Sequence, residues 1–263
     1  MTALAYTARD SVTMLRRDLL HALRFPLMTI SGLTVPIVVL LLFDGVFGHA
    51  LRAGLGSAVP AGGDYIDYLT PGILVMTVSS AAQATSINVN MDMTEGIIAR
   101  FRTMPISRVS VLTGQVLGSV VRTTISGGLV LGVAVALGFR PHAGAAEWLA
   151  ATGMFVLLAI ALTWLTVAFG LFAQTPAGAN SLSLIVVFLP FVSSAYVPTG
   201  SMPAGVRWFA QHQPFTPVIQ TLRGLLAGTP SGRDALLAVG WCLVVAAGGY
   251  LWARARYEHA PAS

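Results

Sequence analysis

The chain has 263 residues, 55% of them hydrophobic and only 10% charged, with a formal net charge of +5 and a mean hydropathy of +0.76. Soluble domains carry about 25% charged residues, so this composition cannot clothe a water-facing surface and belongs in a bilayer. All fifteen basic residues are arginine, which excludes the lysine-dependent phosphate-binding loop, kinase and Schiff-base chemistries.

Residues 1–24 are too polar for a cleavable signal and carry no small-residue cleavage site behind an apolar core. Val12, Leu15, Leu19 and Leu23 recur at three- and four-residue steps, with Arg9, Thr13, Arg16 and Arg17 on other faces. That spacing predicts an amphipathic helix lying along the inner membrane surface, bent into the bilayer at Pro26. A span needs about 20 mainly apolar residues. Six segments qualify: 25–47, 68–89, 109–139, 148–172, 182–196 and 235–252. Residues 197–228 are apolar but broken by prolines and glycines, which predicts short helices or a re-entrant hairpin in the outer leaflet. The expected fold is an all-α integral membrane protein, one domain over 1–263.

Orientation follows from arginines near span ends. Arg9, Arg16, Arg17, Arg24, Arg100, Arg102, Arg108, Arg254 and Arg256 gather on one side; Arg52, Arg140, Arg207, Arg223 and Arg233 lie on the other. The excess predicts cytoplasmic termini and a cytoplasmic 90–108 loop, at the cell membrane. An arginine excess of this kind marks flanks of a membrane protein rather than a nucleic-acid surface. Arg122 sits either about 20 Å inside the third span or on a stem still near the cytoplasm.

Between the second and third spans lies EGIIARFRTMPISR, residues 95–108. Ile97, Ile98, Phe101 and Met104 fall on one helical side, Glu95 favours the helix start, and Pro105 ends it. The pattern fits either a turn with basic flanks or a short helix over 94–105 that docks a cytoplasmic partner, and an exposed apolar patch favours docking.

The second span carries Ser79, Gln83, Ser86 and Asn90 at helical spacing. Such a stripe faces protein or water rather than lipid. It reads either as helix packing or as the wall of a translocation path. Phe188, Phe191 and Tyr196, around the helix-breaking Pro190, offer an aromatic surface for a flat lipophilic molecule, or core packing. Cys242 is the single cysteine, and the histidines at 21, 49, 142, 212 and 259 have no ligand spacing. No metal and no cofactor are therefore expected on this chain.

The stretches YIDYLTPGILV, DMTEGIIARFRTMPISRVSVLTGQVLGSVVR and VALGFRP, with VPTGSMPAGVRWFAQHQPFTPVIQTLRGLLAG further on, resemble the membrane subunit of ABC type-2 exporters. Within that family the chain is most similar to daunorubicin/doxorubicin-resistance-type drug-efflux permeases. Gln115 departs from the family pattern where an arginine is common, and Thr94 where a basic residue often precedes EG. The resemblance implies a permease of two six-span halves, the second a copy or a homologue of this chain. Each half docks on a separate ATPase subunit that holds the ATP and magnesium. It makes 94–105 the coupling helix, with Glu95, Gly96, Arg100, Phe101, Arg102 and Pro105 at the contact, and residues 1–24, with Arg16 and Arg17, an interface helix beside the ATPase. The implied cargo is a lipophilic drug-like molecule, with a lipid or lipid-linked saccharide as the runner-up. An intramembrane enzyme fits poorly, because acids and histidines sit at span ends or in loops and Ser126 has no histidine partner in view. A secondary transporter would need midplane ionisable residues and internal repeats.

Overall fold

A computed structural model describes residues 26–46, 48, 64–94 and 108–259. Among these described residues it contains eight α-helices and no strand. In chain order they are α1 (Pro26–Gly45), α2 (Tyr65–Thr94), α3 (Arg108–Ala136), α4 (Ala145–Phe172), α5 (Pro176–Phe188), α6 (Ala204–His212), α7 (Phe215–Leu226) and α8 (Gly232–His259). Arg16 and Arg17, expected on an interface helix, and Glu95, Gly96, Arg100, Phe101, Arg102 and Pro105, expected at an ATPase contact, lie outside the described residues.

The sequence pattern explains where these helices stop and start. α5 begins at Pro176, whose fixed φ suits a first helical position. The Thr175 hydroxyl in front of it accepts from the Gly178 N–H at 3.1 Å, capping the helix. At Pro190 the α-helical pattern gives way to a 3₁₀ turn, Leu189–Val192, because proline supplies no N–H to continue it. The expected fifth span is therefore a 13-residue helix extended by this turn. α7 ends on Gly228 at φ +73°. The Gly228 N–H donates to the Leu225 carbonyl and the Thr229 N–H to the Gly224 carbonyl, a paired closure that needs a left-handed residue. Residues 197–228 thus fold as a 3₁₀ turn, Thr199–Ser201, followed by the short helices α6 and α7.

The residues 112–136 of α3, all of α4, and 232–257 of α8 are long and apolar enough to cross a membrane. α2 is longer still, at 30 residues, but its hydroxyls and amides keep it out of that class. It is nonetheless the middle of the bundle, in contact with α1, α3, α4, α5 and α7. Of the apolar stretch of α4, 61% is buried, against 33% for α3 and 17% for α8, so α4 is interior and α8 peripheral. α3 runs unbroken from Arg108 to Ala136, and Arg122 sits half-exposed along it.

Helices approach closely where glycine removes a side chain. A Cβ built on Gly170 of α4 would lie 2.5 Å from the Ser86 carbonyl oxygen of α2; one on Gly72 of α2 would lie 2.8 Å from Ala195; one on Gly249 of α8 would lie 2.6 Å from the Leu165 nitrogen. Small residues at such crossings let backbones meet and gather van der Waals contact. Gly153 of α4, by contrast, faces open space. Gly170→Ala is therefore expected to destabilise the protein by about 1–3 kcal/mol through overpacking. Gly153→Ala on the same helix should be neutral or slightly stabilising. Thermal unfolding of the two variants in detergent checks the contrast, and equal effects would contradict the assigned crossing.

Candidate functional site

The polar stripe of α2 turns inward. Ser79 is fully buried and its hydroxyl donates to the Val75 carbonyl one turn back at 3.1 Å. Ser86 is equally buried, beneath Gly170, and its Oγ has no partner among the described residues. Asn90 reaches across to α4: its Nδ2 donates to the Gly170 carbonyl at 2.9 Å and to the Ala173 carbonyl at 2.6 Å. These carbonyls belong to the end of α4, whose last turn lacks helical N–H partners. Asn90 thus caps α4 from the side. In the opposite direction, the Thr166 hydroxyl of α4 donates to the Ala82 carbonyl of α2 at 2.8 Å. Gln83 is only half-buried and donates through Nε2 to Oδ1 of Asn180 on α5 at 2.8 Å. Ser79, Ser86 and Asn90 are therefore buried within this chain, while the Gln83–Asn180 pair keeps partial access.

Asn180 precedes Phe188 by eight residues along α5, about 12 Å of helix. Phe188 is 60% exposed and Phe191 37% exposed. Their ring centroids are 6.1 Å apart, and Phe191 stacks on the buried Tyr196 at 4.9 Å with planes 16° apart. Tyr196 in turn meets Phe43 of α1 at 4.9 Å. The result is an aromatic row whose inner end is core and whose outer end, Phe188, is presented outward. α5 links the two features: Asn180, the partner of Gln83, and Phe188 lie on it, and Phe191 lies on the 3₁₀ turn that follows; Ser79, Ser86 and Asn90 do not join them.

On its other flank α2 is tied to α3. The hydroxyls of Thr85 and Ser119 are 2.6 Å apart and buried, and Gln115 donates through Nε2 to Oδ2 of Asp92. These two bridges lie seven residues apart on α2 and four apart on α3. The two helices on either side of residues 95–107 are thereby joined side by side. Gln115, the departure from the family pattern, is itself one of the bridging residues.

Sequence reasoning missed a third cluster. Arg223 of α7 lies with its guanidinium 3.7 Å above the Tyr68 ring of α2. One terminal nitrogen donates to the Tyr68 carbonyl at 3.0 Å and to the Ser194 carbonyl at 2.9 Å, and the other donates to Gln220 at 3.1 Å. The Tyr68 hydroxyl also donates to Ser194 O, at 3.0 Å, and the Tyr65 hydroxyl to Tyr196 O, at 3.1 Å. The chain past α5 has left the helical ladder, so its carbonyls must find donors elsewhere. Two tyrosines and one arginine supply them. In the sequence, Arg223 counts as one more flanking charge; a lone arginine in the apolar face PVIQTLRGLL, with Gln220 three residues before it, is the signal that it serves the interior. Among the described residues, no group of three or more His, Cys, Asp or Glu is placed to hold a metal ion.

A central polar helix, an interrupted fifth helix and an all-helical bundle with long apolar members define a membrane-embedded helical protein. The model of the ABC-2 type transporter family matches residues 10–227, and the chain belongs to that family. A daunorubicin resistance ABC transporter permease protein of Streptomyces coeruleorubidus is 27% identical over 247 residues, covering 94% of this chain and 83% of the relative. A probable doxorubicin resistance ABC transporter permease protein of Mycobacterium tuberculosis is 25% identical over 206 residues, covering 76% of this chain and 71% of the relative. The YIDYLTPGILV and PVIQTLRGLLAG stretches that carried the resemblance are the ones that meet at Tyr68 and Arg223.

Hydrogen bonds from a charged donor contribute about 1.5–3 kcal/mol each, and a partly buried cation over a ring about 1 kcal/mol more. Arg223→Met should therefore cost about 3 kcal/mol, and Tyr68→Phe, which loses one neutral bond, about 1 kcal/mol. Arg223→Lys is expected to fall between the parent and the Met variant, since one ammonium can serve the two carbonyls that a single guanidinium nitrogen now serves but loses the second nitrogen's bond to Gln220 and the flat stacking over Tyr68. Denaturant unfolding of the purified protein in micelles checks the ranking; an Arg223→Met variant as stable as the parent would contradict it.

Proposed function

We propose that this chain is the membrane-spanning permease subunit of an ATP-driven exporter that moves a lipophilic, drug-like small molecule out of the cell. Family membership supports the permease role. Relatives with drug-resistance names support the cargo class, and the outward-facing Phe188 with Phe191 is consistent with it. The observation that carries the mechanism is the joining of α2 to α3 through Thr85–Ser119 and Asp92–Gln115. A force applied at the loop between them is delivered to both helices together and reaches α4 through Asn90 and Thr166.

In this reading the segment 94–105 is a cytoplasmic coupling helix seated on a separate ATPase, two copies of which serve two permease halves. Six spans would leave both termini on one side, and the arginine excess beside them makes that side the cytoplasm. ATP hydrolysis belongs to the partner, so the purified permease alone should show none. Cysteines introduced at Thr103 and at Ala58, after Cys242 is replaced, should react with an impermeant thiol reagent from opposite faces of the membrane. Labelling of both from outside intact cells would overturn the orientation.

Phe101→Ala tests the coupling role. Truncating an interface anchor costs about 2 kcal/mol or more, so copurification with the ATPase should weaken roughly thirtyfold while the isolated permease melts as the parent does. A variant that melts early yet binds its ATPase normally would make Phe101 a core residue and end the docking proposal.

A further inference from the structure

A cavity of about 180 Å³ opens between α3 and α4, with its floor on α2 and α7. Glycines make it. Gly127 of α3 carries no side chain where the Phe155 ring of α4 arrives; a Cβ there would lie 2.5 Å from the ring's Cζ. Gly128 beside it borders the cavity, and a Cβ there would meet nothing within 4 Å. Leu74 and Leu222 close the floor and are buried. Thr124 is on the wall, but its hydroxyl already donates to the Val120 carbonyl at 2.8 Å. A buried water needs two to four polar partners, and besides Thr124 the lining holds only Thr152 and Trp148 as polar side chains.

The mouth is equally informative. Gly128 and Thr152, both exposed, stand on its two sides. Around it Ile125 and Leu129 of α3 and Leu149 of α4 are exposed apolar side chains. In a membrane protein such a surface meets hydrocarbon, so acyl chains are what reaches the opening. An unfilled apolar volume forfeits dispersion contacts along its whole lining, which favours entry of a chain. Size narrows the occupant further. An apolar cavity of about 150 Å³ holds a single benzene ring, whereas pockets for drug-sized ligands run from about 300 Å³ upward. The slot is too small for a fused polycyclic cargo and suits a stretch of one flexible chain.

We infer that the slot between α3 and α4 is a binding site for one acyl chain of a membrane phospholipid. The orientation proposed above puts it in the outer leaflet; the site itself depends only on the geometry of α3, α4 and α7. It is separate from the Phe188–Phe191 surface, so it does not compete with the proposed cargo path.

The test uses the full chain in liposomes containing a trace of phosphatidylethanolamine with a photoactivatable diazirine in mid-chain. Cross-linked peptides are mapped by mass spectrometry while the probe fraction is raised. Labelling of 124–131 and 148–155 is expected to saturate, while labelling of the exposed apolar face of α8 rises in proportion to probe, as bulk lipid contact should. Gly128→Leu fills the slot from α3 and replaces glycine by a better helix former. Thr152→Phe fills it from α4. Each should lower slot labelling roughly tenfold, the loss of one or two buried methylene contacts, with α8 labelling and thermal melting unchanged. Slot labelling that rises linearly like that of α8, or that survives both fillings, overturns the site. So does saturable labelling displaced by a polycyclic aromatic compound, which would make the occupant cargo, or its absence because a second copy of the chain covers the mouth.

Discussion

A helix rich in hydroxyls and amides stands at the centre of an apolar bundle, and every other feature follows from how its polar groups are satisfied. An unmade hydrogen bond in such surroundings costs several times what a made one contributes. α2 resolves this in two ways for most of its polar side chains, with the Ser86 hydroxyl and the Asn90 Oδ1 left without a partner among the described residues. Thr70, Thr77 and Ser79 fold back on their own helix, to carbonyls four residues earlier. Thr85, Asn90 and Asp92 reach outward, to α3 and α4. The second group turns a solvation problem into a set of fixed helix positions. Gly170 then lets α4 come close enough over Ser86 for those bonds to form.

The same logic explains the region after Pro190. Once the fifth helix unwinds, its carbonyls would be stranded in a low-dielectric setting, where irregular backbone is tolerated only against protein. Tyr65, Tyr68 and Arg223 gather the Ser194 and Tyr196 carbonyls. Residues far apart in the chain thereby depend on one another. The joined α2–α3 pair, tied to α4 through Asn90 and Thr166, is the mechanical component on which the proposed transport cycle rests.

Much of the architecture was legible in composition and spacing. The long apolar runs appear as α1, α3, α4 and α8, and Pro190 marks where α5 unwinds. Prolines and glycines in 197–228 foretold short helices, since neither residue sustains a ladder. The stripe Ser79, Gln83, Ser86 and Asn90 was visible as a polar face, but period alone cannot say which neighbour covers it. Only the packing of α4 and α5 separates the covered three from the half-open Gln83. Arg223 was misleading because a charge count assigns every arginine to a flank, whereas its partners are carbonyls contributed by residues 155 and 29 positions away. Ser119 gave no signal of its own; it matters because Thr85 happens to face it.

The central claim is that this permease draws its energy from a separate ATPase rather than from an ion gradient. The direct measurement is uptake of a fluorescent lipophilic compound into inverted membrane vesicles carrying the permease with and without its ATPase. The account predicts uptake on addition of ATP only when both chains are present, unchanged by a proton ionophore. Uptake that proceeds without the ATPase and collapses on addition of the ionophore would contradict it.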